Sequence, residues 1–335
     1  MRVPNEPTIE ECRALLALAE WGSERKAARQ LKVGQPVVHR RLRVFRQGHA
    51  LVTPEANRVQ LTAAGRTALP AVRRLVRDYE RLRQFMSGQS EHARSLTLAV
   101  GSSITQFYLA GALAELRERL DGWTIETRVA RGRDRIVGVV NGTFDLAIVS
   151  HSPEQIDGTA RAAGHERVEL SIEPVARLPY CVIAKKGTPL ARTLESVLAG
   201  QAVTWELLAR SPLAGLDQES GIRQQLETAW RRHTAGRTGP RTGWLQFAIQ
   251  AGGWLGVKEF VRQGLCGGII PLAVLTLDET KQLVVRRLPD DAVVEHHLVH
   301  RADVDNEALT SAKAALIRTA QEHNAAVERV WRGKL

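Results

Sequence analysis

The chain has 335 residues, a formal net charge of +11 and 44% hydrophobic residues, which is enough for two or three domains that each bury a core. Its three cysteines lie far apart without a Cys-x-x-Cys pair or a zinc-ligand spacing, which excludes a disulfide framework and a zinc module. No apolar run is long enough for a membrane span, and no signal-peptide or lipidation pattern is recognisable, so a cytoplasmic protein without a membrane partner is expected.

The positive charge is concentrated in the first 90 residues, which hold 17 Lys and Arg against 8 Asp and Glu. The rest of the chain holds 30 against 28 and is close to neutral. A basic module attached to a nearly neutral body predicts a polyanionic partner for that module alone.

Three short helices are predicted in the basic module. Residues 9–21 have apolar side chains at helical spacing, and the segment 22–45 (GSERKAARQLKVGQPVVHRRLRVF) predicts two further helices joined by a tight turn. Gly34 is placed to begin the last of these helices, with Pro36 in its first turn, where a missing N–H costs nothing. The apolar residues of this helix recur at helical spacing and should face the core: Val38, Leu42 and Phe45.

The opposite face of this helix is polar and basic, with side chains that can reach base edges or phosphates. A helix, a short turn and a helix with a basic outer face is the layout of a helix-turn-helix, which predicts double-stranded DNA as the partner. The predicted DNA-binding residues are Gln35, Pro36, His39, Arg40, Arg43 and Arg58. Of these, Arg43 and Arg58 are expected to meet mainly phosphates. The alternative is a surface helix hairpin whose arginines are only solvated.

Residues 48–61 predict a small two-stranded wing. Val52, Val59 and Leu61 are its apolar anchors, and Pro54 with Asn57 favours a turn between the strands. Arg58 would lie near the tip of this wing, where it can contact the minor groove or a phosphate.

A long helix is predicted from Thr62, as the N-cap, to about Met86. Apolar residues recur along it at mixed three- and four-residue steps, as in the seam of a coiled coil. The members of this stripe are Leu69, Val72, Val76, Tyr79, Leu82 and Met86. The stripe is predicted to pair with a second copy of the chain, which would place two helix-turn-helix units across a two-fold DNA site. The alternative is that the helix packs on its own body.

The remainder predicts two α/β lobes. Apolar strands at 96–100, 123–129 and 144–149 alternate with helices, which indicates a parallel sheet. A second unit of this kind begins near Pro179, and a long helix from Glu307 closes the chain. The chain is expected to pass between the lobes at about 175 and 275.

Ligands of open α/β sheets bind beyond the carboxyl ends of the strands, where helix N-termini offer N–H groups to anions. A small, anionic effector is therefore expected between the lobes. The candidate effector-binding residues follow predicted strands or open predicted helices: Ser102, Ser103, Ser150, Thr204, Ser220, Gly252 and Gly253. The alternative for Ser102 and Ser103 is simple helix capping. Arg131 and Arg133 are interpreted as solvated rather than ligand-binding.

No catalytic constellation is recognisable, and no metal spacing or phosphate-binding loop is present, so an enzyme is not expected and no cofactor is predicted. Cys12, Cys181 and Cys266 are interpreted as buried, reduced thiols. A redox-sensing pair of Cys181 and Cys266 is the alternative.

The chain resembles the LysR-type transcriptional regulators along nearly its whole length. Five stretches carry the resemblance: GSERKAARQLKVGQPVVHRRLR, VQLTAAGRTALP, LTLAVGSS, NGTFDLAIVS and GLCGGIIP. The resemblance implies a winged helix-turn-helix, a linker helix that dimerises, and an effector domain like a periplasmic binding protein. It also implies dimers or tetramers whose DNA contacts change when a small molecule enters the cleft, with RNA polymerase as a further candidate partner.

Departures from the family pattern lie in the helix-turn-helix. Gly34 and His39 stand where the family usually has serines, and Glu24 replaces a usual phenylalanine. Phe45 and Arg46 replace a common Leu-Glu pair. His39 presents a bulkier group to the groove than serine would, so the usual DNA contacts of the family do not transfer directly.

The predicted fold class is α/β, with an all-α-dominated winged helix-turn-helix domain followed by two Rossmann-like lobes that resemble a periplasmic binding protein. The expected domains are 1–61 for DNA binding, 62–90 for the linker helix and hinge, and 91–335 for effector binding. Within the last domain, the first lobe is expected at about 94–175 and 278–335, and the second at about 176–277. The predicted function is an effector-controlled, sequence-specific transcriptional regulator; the alternative is a solute-binding protein without a role in DNA binding.

Overall fold

The structure is a computed structural model, and it describes residues 6–55, 58–86, 94–102, 104–163, 168–198, 201–235, 247–289 and 292–334. A small helical module leads through one long helix into a larger α/β body. The predicted fold class is confirmed.

The N-terminal module begins with three helices, α1 (Ile9–Trp21), α2 (Glu24–Gln30) and α3 (Gln35–Gln47). Side chains cap the first two helices, since the backbone N–H of Glu11 donates to Thr8 Oγ1 and that of Lys26 donates to Ser23 Oγ. Helix α3 begins after Gly34 with Pro36 in its first turn, as predicted. Its predicted apolar face is buried against α1 and α2: Val38, Leu42 and Phe45.

The predicted wing is present as an antiparallel pair, β1 (Val52–Glu55) and β2 (Arg58–Leu61). The linker helix α4 (Ala63–Met86) follows directly, and Thr62 caps it as predicted by accepting the Gly65 N–H at 2.9 Å. The Thr62 hydroxyl in turn donates to the carbonyl of Ala50 at 2.8 Å. The base of the wing and the start of the linker helix therefore form one hydrogen-bonded unit.

The apolar stripe of α4 divides into two parts. Leu69 and Val76 are buried in the core of the N-terminal module, and Val72 packs against that core. The prediction that Val72 and Val76 form a seam between two copies is therefore wrong, and the alternative of packing on the chain's own body holds for this half of the helix. Four other apolar residues of α4 are exposed, at successive steps of four, three and four residues: Leu75, Tyr79, Leu82 and Met86.

The first lobe contains β3 (Ser95–Val100), α5 (Ala110–Arg119), β4 (Thr124–Val129), α6 (Gly132–Val140), β5 (Leu146–Val149) and α7 (Pro153–Ala162). Strand β3 pairs in parallel with both β4 and β5, which confirms the predicted parallel arrangement. Helix α5 is preceded by a turn of π-helix at Thr105–Leu109. The short helix α7 was not predicted.

The second half of the body contains β6 (Leu170–Lys185), α8 (Pro189–Glu195), α9 (Trp205–Ala209), β7 (Leu213–Leu216), α10 (Gly221–Thr234), β8 (Ile249–Ala251), α11 (Trp254–Arg262), β9 (Gly267–Pro271), β10 (Leu283–Arg287), β11 (Val293–Arg301) and α12 (Glu307–Trp331). Strand β7 pairs in parallel with β8 and β9. Along the described strands, the order in the large sheet is β4-β3-β5-β11-β6-β9-β7-β8, with β10 added to β6.

One long strand joins the two lobes. The first part of β6 pairs with β11 in the first lobe, and its last part, residues 180–185, pairs with β9 and β10 in the second. Strand β10 is buried in the core of the second lobe, so the chain returns to the first lobe between β10 and β11 rather than at the expected 275–278. Local sequence cannot decide this, because an apolar strand fits either sheet edge. The division into three domains remains a prediction.

The closing helix α12 also bridges the lobes. Ala312 and Leu316 lie in the core of the first lobe, whereas Trp331 is buried in the core of the second. No helix among the described residues combines the length and apolar character that crossing a bilayer requires.

The three cysteines are free and buried. Cys181 pairs across the sheet with Ile270, four residues from Cys266, which separates the two thiols by roughly 13 Å at the usual rise along a strand. Burial raises the pKa of both thiols, which disfavours the reactive thiolate. The alternative of a redox-sensing pair is therefore not supported.

Candidate nucleic-acid interface and interlobe cleft

The candidate nucleic-acid interface is the outer face of α3. The predicted residues on this helix are all exposed: Gln35, Pro36, His39, Arg40 and Arg43. Of these, His39, Arg40 and Arg43 lie on the side of the helix away from its buried apolar face. Arg58 begins β2, but its side chain lies outside what the structure describes. The structure thus brings five of the predicted residues to one surface, and their contact with DNA remains a prediction.

Two departures from the family pattern contact each other. His39 Nδ1 lies 3.0 Å from Glu24 Oε1, across the two helices of the motif. A carboxylate only accepts, so Nδ1 carries the proton and donates to Glu24. The Glu24 side chain is 13% exposed and that of His39 is 52% exposed. Glu24 therefore fixes the imidazole ring with Nε2 free for another partner.

A cavity of about 340 Å³ lies between the two lobes. It forms where β3 and β4 of the first lobe and β7 and β8 of the second lobe end and the chain turns into the following segments. This is the position expected for a ligand site in open α/β sheets. We call this cavity, with its lining residues, the cleft.

The structure places five of the predicted effector-binding residues in the cleft: Ser102, Ser150, Ser220, Gly252 and Gly253. Thr204 does not line it, and this prediction is wrong. Thr204 caps the short helix α9 by accepting the Leu207 N–H at 3.4 Å, at a helix that does not follow a strand end of the cleft. Ser103 lies outside the described residues. Effector binding by the five remains a prediction.

Ion pairs cross the mouth of the cleft. Arg131, from the first lobe, has Nη1 at 2.7 Å from Glu219 Oε2 and Nη2 at 3.4 Å from Asp217 Oδ2 in the second lobe. Arg133 is exposed as interpreted, but Arg131 is paired rather than only solvated. Its side chain is 60% exposed, so this rim pairing contributes little to stability and can rearrange easily.

A glutamine ties the lobes together beside the cleft. Gln225 Nε2 donates to the carbonyl of Ser150 at 2.8 Å and to that of Glu295 at 2.9 Å. The Glu295 N–H donates back to Gln225 Oε1 at 2.7 Å. Gln225 of α10 therefore fixes the position of the second lobe relative to β5 and β11 of the first lobe.

Sequence reasoning missed the charged residue deepest in the cleft. Arg135, on α6, is only 8% exposed, and its Nη1 donates to the carbonyl of Ile148. A Cβ built on Gly101 would lie 3.3 Å from Arg135 Nη1, so a glycine allows the guanidinium to sit against the end of β3. Burial lowers the pKa of Arg135 to about 10, which leaves it charged at neutral pH. The sequence gives no signal for Arg135, because it follows Arg131 and Arg133 at two-residue steps and nothing local distinguishes it from them.

Two buried histidines lie close to Arg135. Burial, followed by the positive charge of Arg135, lowers the pKa of His151 to about 4 and that of His296 to about 3. The Tyr108 hydroxyl is hydrogen-bonded to His296 Nδ1 at 3.2 Å. Both histidines are therefore neutral in the folded protein above about pH 5.

Stability is expected to fall as the pH is lowered from about 6.5 towards 4. The unfolded chain binds protons at the ordinary histidine pKa of 6.5, whereas the folded His151 and His296 do not, so the unfolded state gains protons first. Each histidine then lowers the free energy of unfolding by roughly 2 kcal/mol at pH 5. Urea unfolding at pH 7, 6 and 5 measures this slope, and His296→Gln should flatten it; an unchanged slope in that variant contradicts the assignment.

Comparisons with known proteins cover both parts of the chain. Residues 9–66 match the family model "Bacterial regulatory helix-turn-helix protein, lysR family", and residues 89–325 match "LysR substrate binding domain". The "Probable nitrogen assimilation transcriptional activator" of Synechococcus elongatus is 28% identical over 67% of this chain and 68% of its own.

Two solved structures share the fold over nearly the whole chain. ArgP from Mycobacterium tuberculosis aligns over 92% of this chain and 96% of its own, with 19% identity and a TM-score of 0.61. Full-length CbnR, in complex with its target DNA, aligns over 93% of this chain and 100% of its own, with 16% identity and a TM-score of 0.56. At these identities the likeness concerns the fold alone.

Proposed function

We propose, since this chain belongs to the LysR family of bacterial transcriptional regulators, that α3 enters the major groove of an operator and that a small molecule in the cleft controls this contact. The exposed basic face of α3, opposite a fully buried apolar face, carries the proposal. A solute-binding protein has no use for such a face on a separate basic module, so the regulator is favoured over that alternative. The relative from Synechococcus elongatus, a transcriptional activator by its name, agrees with this choice.

On DNA, the first turns of α3 supply the base contacts. Gln35 stands at the start of the helix, where recognition helices contact base edges, and an amide can pair bidentately with adenine. His39 follows one turn later, and its Nε2 is oriented outwards by the hydrogen bond to Glu24. Arg40 and Arg43 extend the face with positive charge for bases and phosphates.

Gln35→Ala is expected to relax sequence preference and to weaken binding by about 1–3 kcal/mol at one base pair. The measurement is fluorescence anisotropy with the chain's own upstream DNA and with single-base variants of the bound site. Gln47→Ala is the matched control, because Gln47 is an exposed glutamine at the far end of the same helix. Unchanged operator binding by Gln35→Ala would show that the assigned face is wrong.

The effector is proposed to act by shifting the lobes against each other. The two lobes meet along β6, α12 and the Gln225 hydrogen bonds, so a ligand that contacts both sides changes their relative stability. The pocket lies on a different domain from α3, so the two sites communicate through the linker helix.

A chain of contacts connects the cleft with that helix. Helix α6 begins in the cleft, and its last carbonyl, of Val140, accepts from Arg301 Nη1 at 3.0 Å. Arg301 also binds Asp303, and Asp303 accepts from Arg74 of α4 at 2.7 Å. These hydrogen bonds, from Arg301 first and then Arg74, hold the pKa of Asp303 well below its usual range. A displacement of α6 would therefore change the position of α4.

A homodimer through the exposed part of α4 completes the proposal. Leu75, Tyr79, Leu82 and Met86 form an apolar stripe with the spacing of a helix–helix seam, and they are 40–76% exposed. Pairing of two such helices would hold two α3 helices at a fixed distance, as a two-fold operator requires. Assembly of dimers into tetramers, as the resemblance implies, would add further half-sites.

A further inference from the structure

Among the described residues, three helices have their N-caps in the lining of the cleft, and none of these three has a side-chain cap. The N-cap residues are Arg131 for α6, Ser220 for α10 and Gly253 for α11, and each of these residues lines the cleft. Four helices of the body that begin elsewhere are capped by Ser152, Thr188, Thr204 and Asn306, whereas α5 continues from the π-helical turn without a side-chain cap. Uncapped N-terminal N–H groups are anion-binding groups, and here they converge from both lobes on one cavity.

Arg135 adds an independent observation at the same place. Its Nη1 donates to the Ile148 carbonyl, and its buried Nε has no hydrogen-bond partner among the residues that the structure describes. Among the residues that the structure describes, no Asp or Glu forms an ion pair with it; the nearest titratable neighbours are Tyr108, His151 and His296. A buried guanidinium without a carboxylate is costly for the fold alone.

The acidic residues of the cleft do not compensate this charge. Asp217 and Glu219 lie at the mouth, where Arg131 binds both. One guanidinium and two carboxylates leave the mouth with a net negative charge, whereas Arg135 places a positive charge in a poorly solvated part of the cleft. The electrostatic potential of the cleft is therefore most positive at its floor.

The lining also contains apolar side chains, besides three serine hydroxyls. Val129 comes from the first lobe, and Leu216, Ile222 and the buried indole of Trp254 come from the second. A volume of about 340 Å³ is at the small end of ligand pockets. An inorganic oxyanion has no apolar part that could contact these side chains.

We infer, on the basis of the proposed function, that the effector is a small organic acid whose carboxylate binds Arg135 and the surrounding helix N-termini, and whose apolar body contacts Val129, Leu216 and Trp254. Arg135 is then the residue that selects for an acid. The glycine at 101 is part of this selection, because it brings the guanidinium to the end of β3.

The test uses the purified full-length protein and defined probes at constant ionic strength. The probes are acetate, butanoate and hexanoate, with hexanamide as the neutral analogue of hexanoate and sulfate as an inorganic anion. Thermal shift is measured for the wild type, for Arg135→Gln and for Arg133→Gln, which removes an exposed arginine of the same helix. Hexanoate is expected to raise the melting temperature saturably in the wild type and in Arg133→Gln, but not in Arg135→Gln. Hexanamide is expected to have no effect.

A second measurement does not depend on how Arg135→Gln folds. Arg135→Lys keeps the positive charge at this position. One arginine Nε–H signal disappears from the NMR spectrum of this variant, and that signal is thereby assigned to Arg135 in the wild type. This signal is expected to shift with hexanoate. In buffer with chloride alone, Arg135→Gln is expected to melt at or above the wild-type temperature, because a buried unpaired charge has been removed.

Several outcomes would overturn the inference. These are a response to sulfate alone, a response to none of the carboxylates, an equal response in Arg135→Gln, or an Nε–H signal that hexanoate does not move. Failure of Arg135→Gln to fold, or a much lower melting temperature in chloride, would show Arg135 to be structural. Operator binding is measured on the same wild-type preparation. Intact operator binding with any of these outcomes leaves the proposed regulator in place, whereas loss of operator binding contradicts the proposed function itself.

Discussion

Gly65→Ala is expected to abolish operator binding, although it adds only one methyl group and lies outside α3. A Cβ at position 65 would lie 2.0 Å from the carbonyl oxygen of Leu51 and 3.0 Å from its carbon. That oxygen also accepts the Thr62 N–H at 3.0 Å, so it cannot withdraw without breaking the junction of wing and linker helix. The resulting overpacking is expected to cost about 3 kcal/mol or more, a large part of the stability of a small module.

Hydrogen exchange of α1–α3 and anisotropy with the operator measure this effect. Faster exchange is expected in the N-terminal module only, with the lobes unchanged. Gly158→Ala is the matched control, because a Cβ there meets nothing within 4 Å and the residue lies inside helix α7. That variant should be neutral or slightly more stable. Wild-type operator affinity in Gly65→Ala would show that the close approach of Leu51 is not required.

Leu75→Glu combined with Leu82→Glu is expected to separate the copies of the chain and to weaken operator binding by about 10²–10⁴-fold. Both leucines are about half exposed on the outer stripe of α4, so charges are tolerated by one copy alone. Between two paired helices the four glutamates would repel each other, and the apolar contact area of the two leucines would be lost. The affinity falls because the two helix-turn-helix units are no longer linked, so binding of the first unit no longer raises the effective concentration of the second at its half-site.

Light scattering gives the mass, and circular dichroism shows that the variant is folded. Leu198→Glu with Leu265→Glu is the control, since these leucines are 67% and 62% exposed on the second lobe. Val76→Asp gives a useful contrast, because Val76 is buried in the N-terminal module and its substitution should unfold that module instead. An unchanged mass for the Leu75 and Leu82 double variant would rule out this stripe as the main contact.

The elements of the N-terminal module could be predicted closely because their signals are local. Thr8, Ser23 and Thr62 each cap the helix that follows, and the apolar period of α3 already separates its buried face from its exposed one. The end of strand β3 could be placed in the same way, since the strand predicted at 96–100 ends where β3 ends. Ser102 and Gly252 were therefore expected at a shared cavity, and the structure brings them to it.

The remaining features depend on contacts between residues far apart in the chain. Whether α4 uses Val76 for its own core or for a partner depends on how α1 packs against it, which no periodicity shows. Glu24 and His39 are separate departures from a pattern in sequence and become a hydrogen-bonded pair only when two helices cross.

The sequence by itself determined a basic helix-turn-helix, a wing, a linker helix and two α/β lobes, because caps, turns and apolar periods act over a few residues. Only the tertiary structure decided that Thr204 lies away from the cleft and that Arg135 lies at its floor. Arg131, Arg133 and Arg135 are near neighbours in sequence, yet the first is paired across the lobes, the second is exposed and the third is buried. Their surroundings come from β3, β5 and the second lobe, and such surroundings exist only once the lobes have packed together.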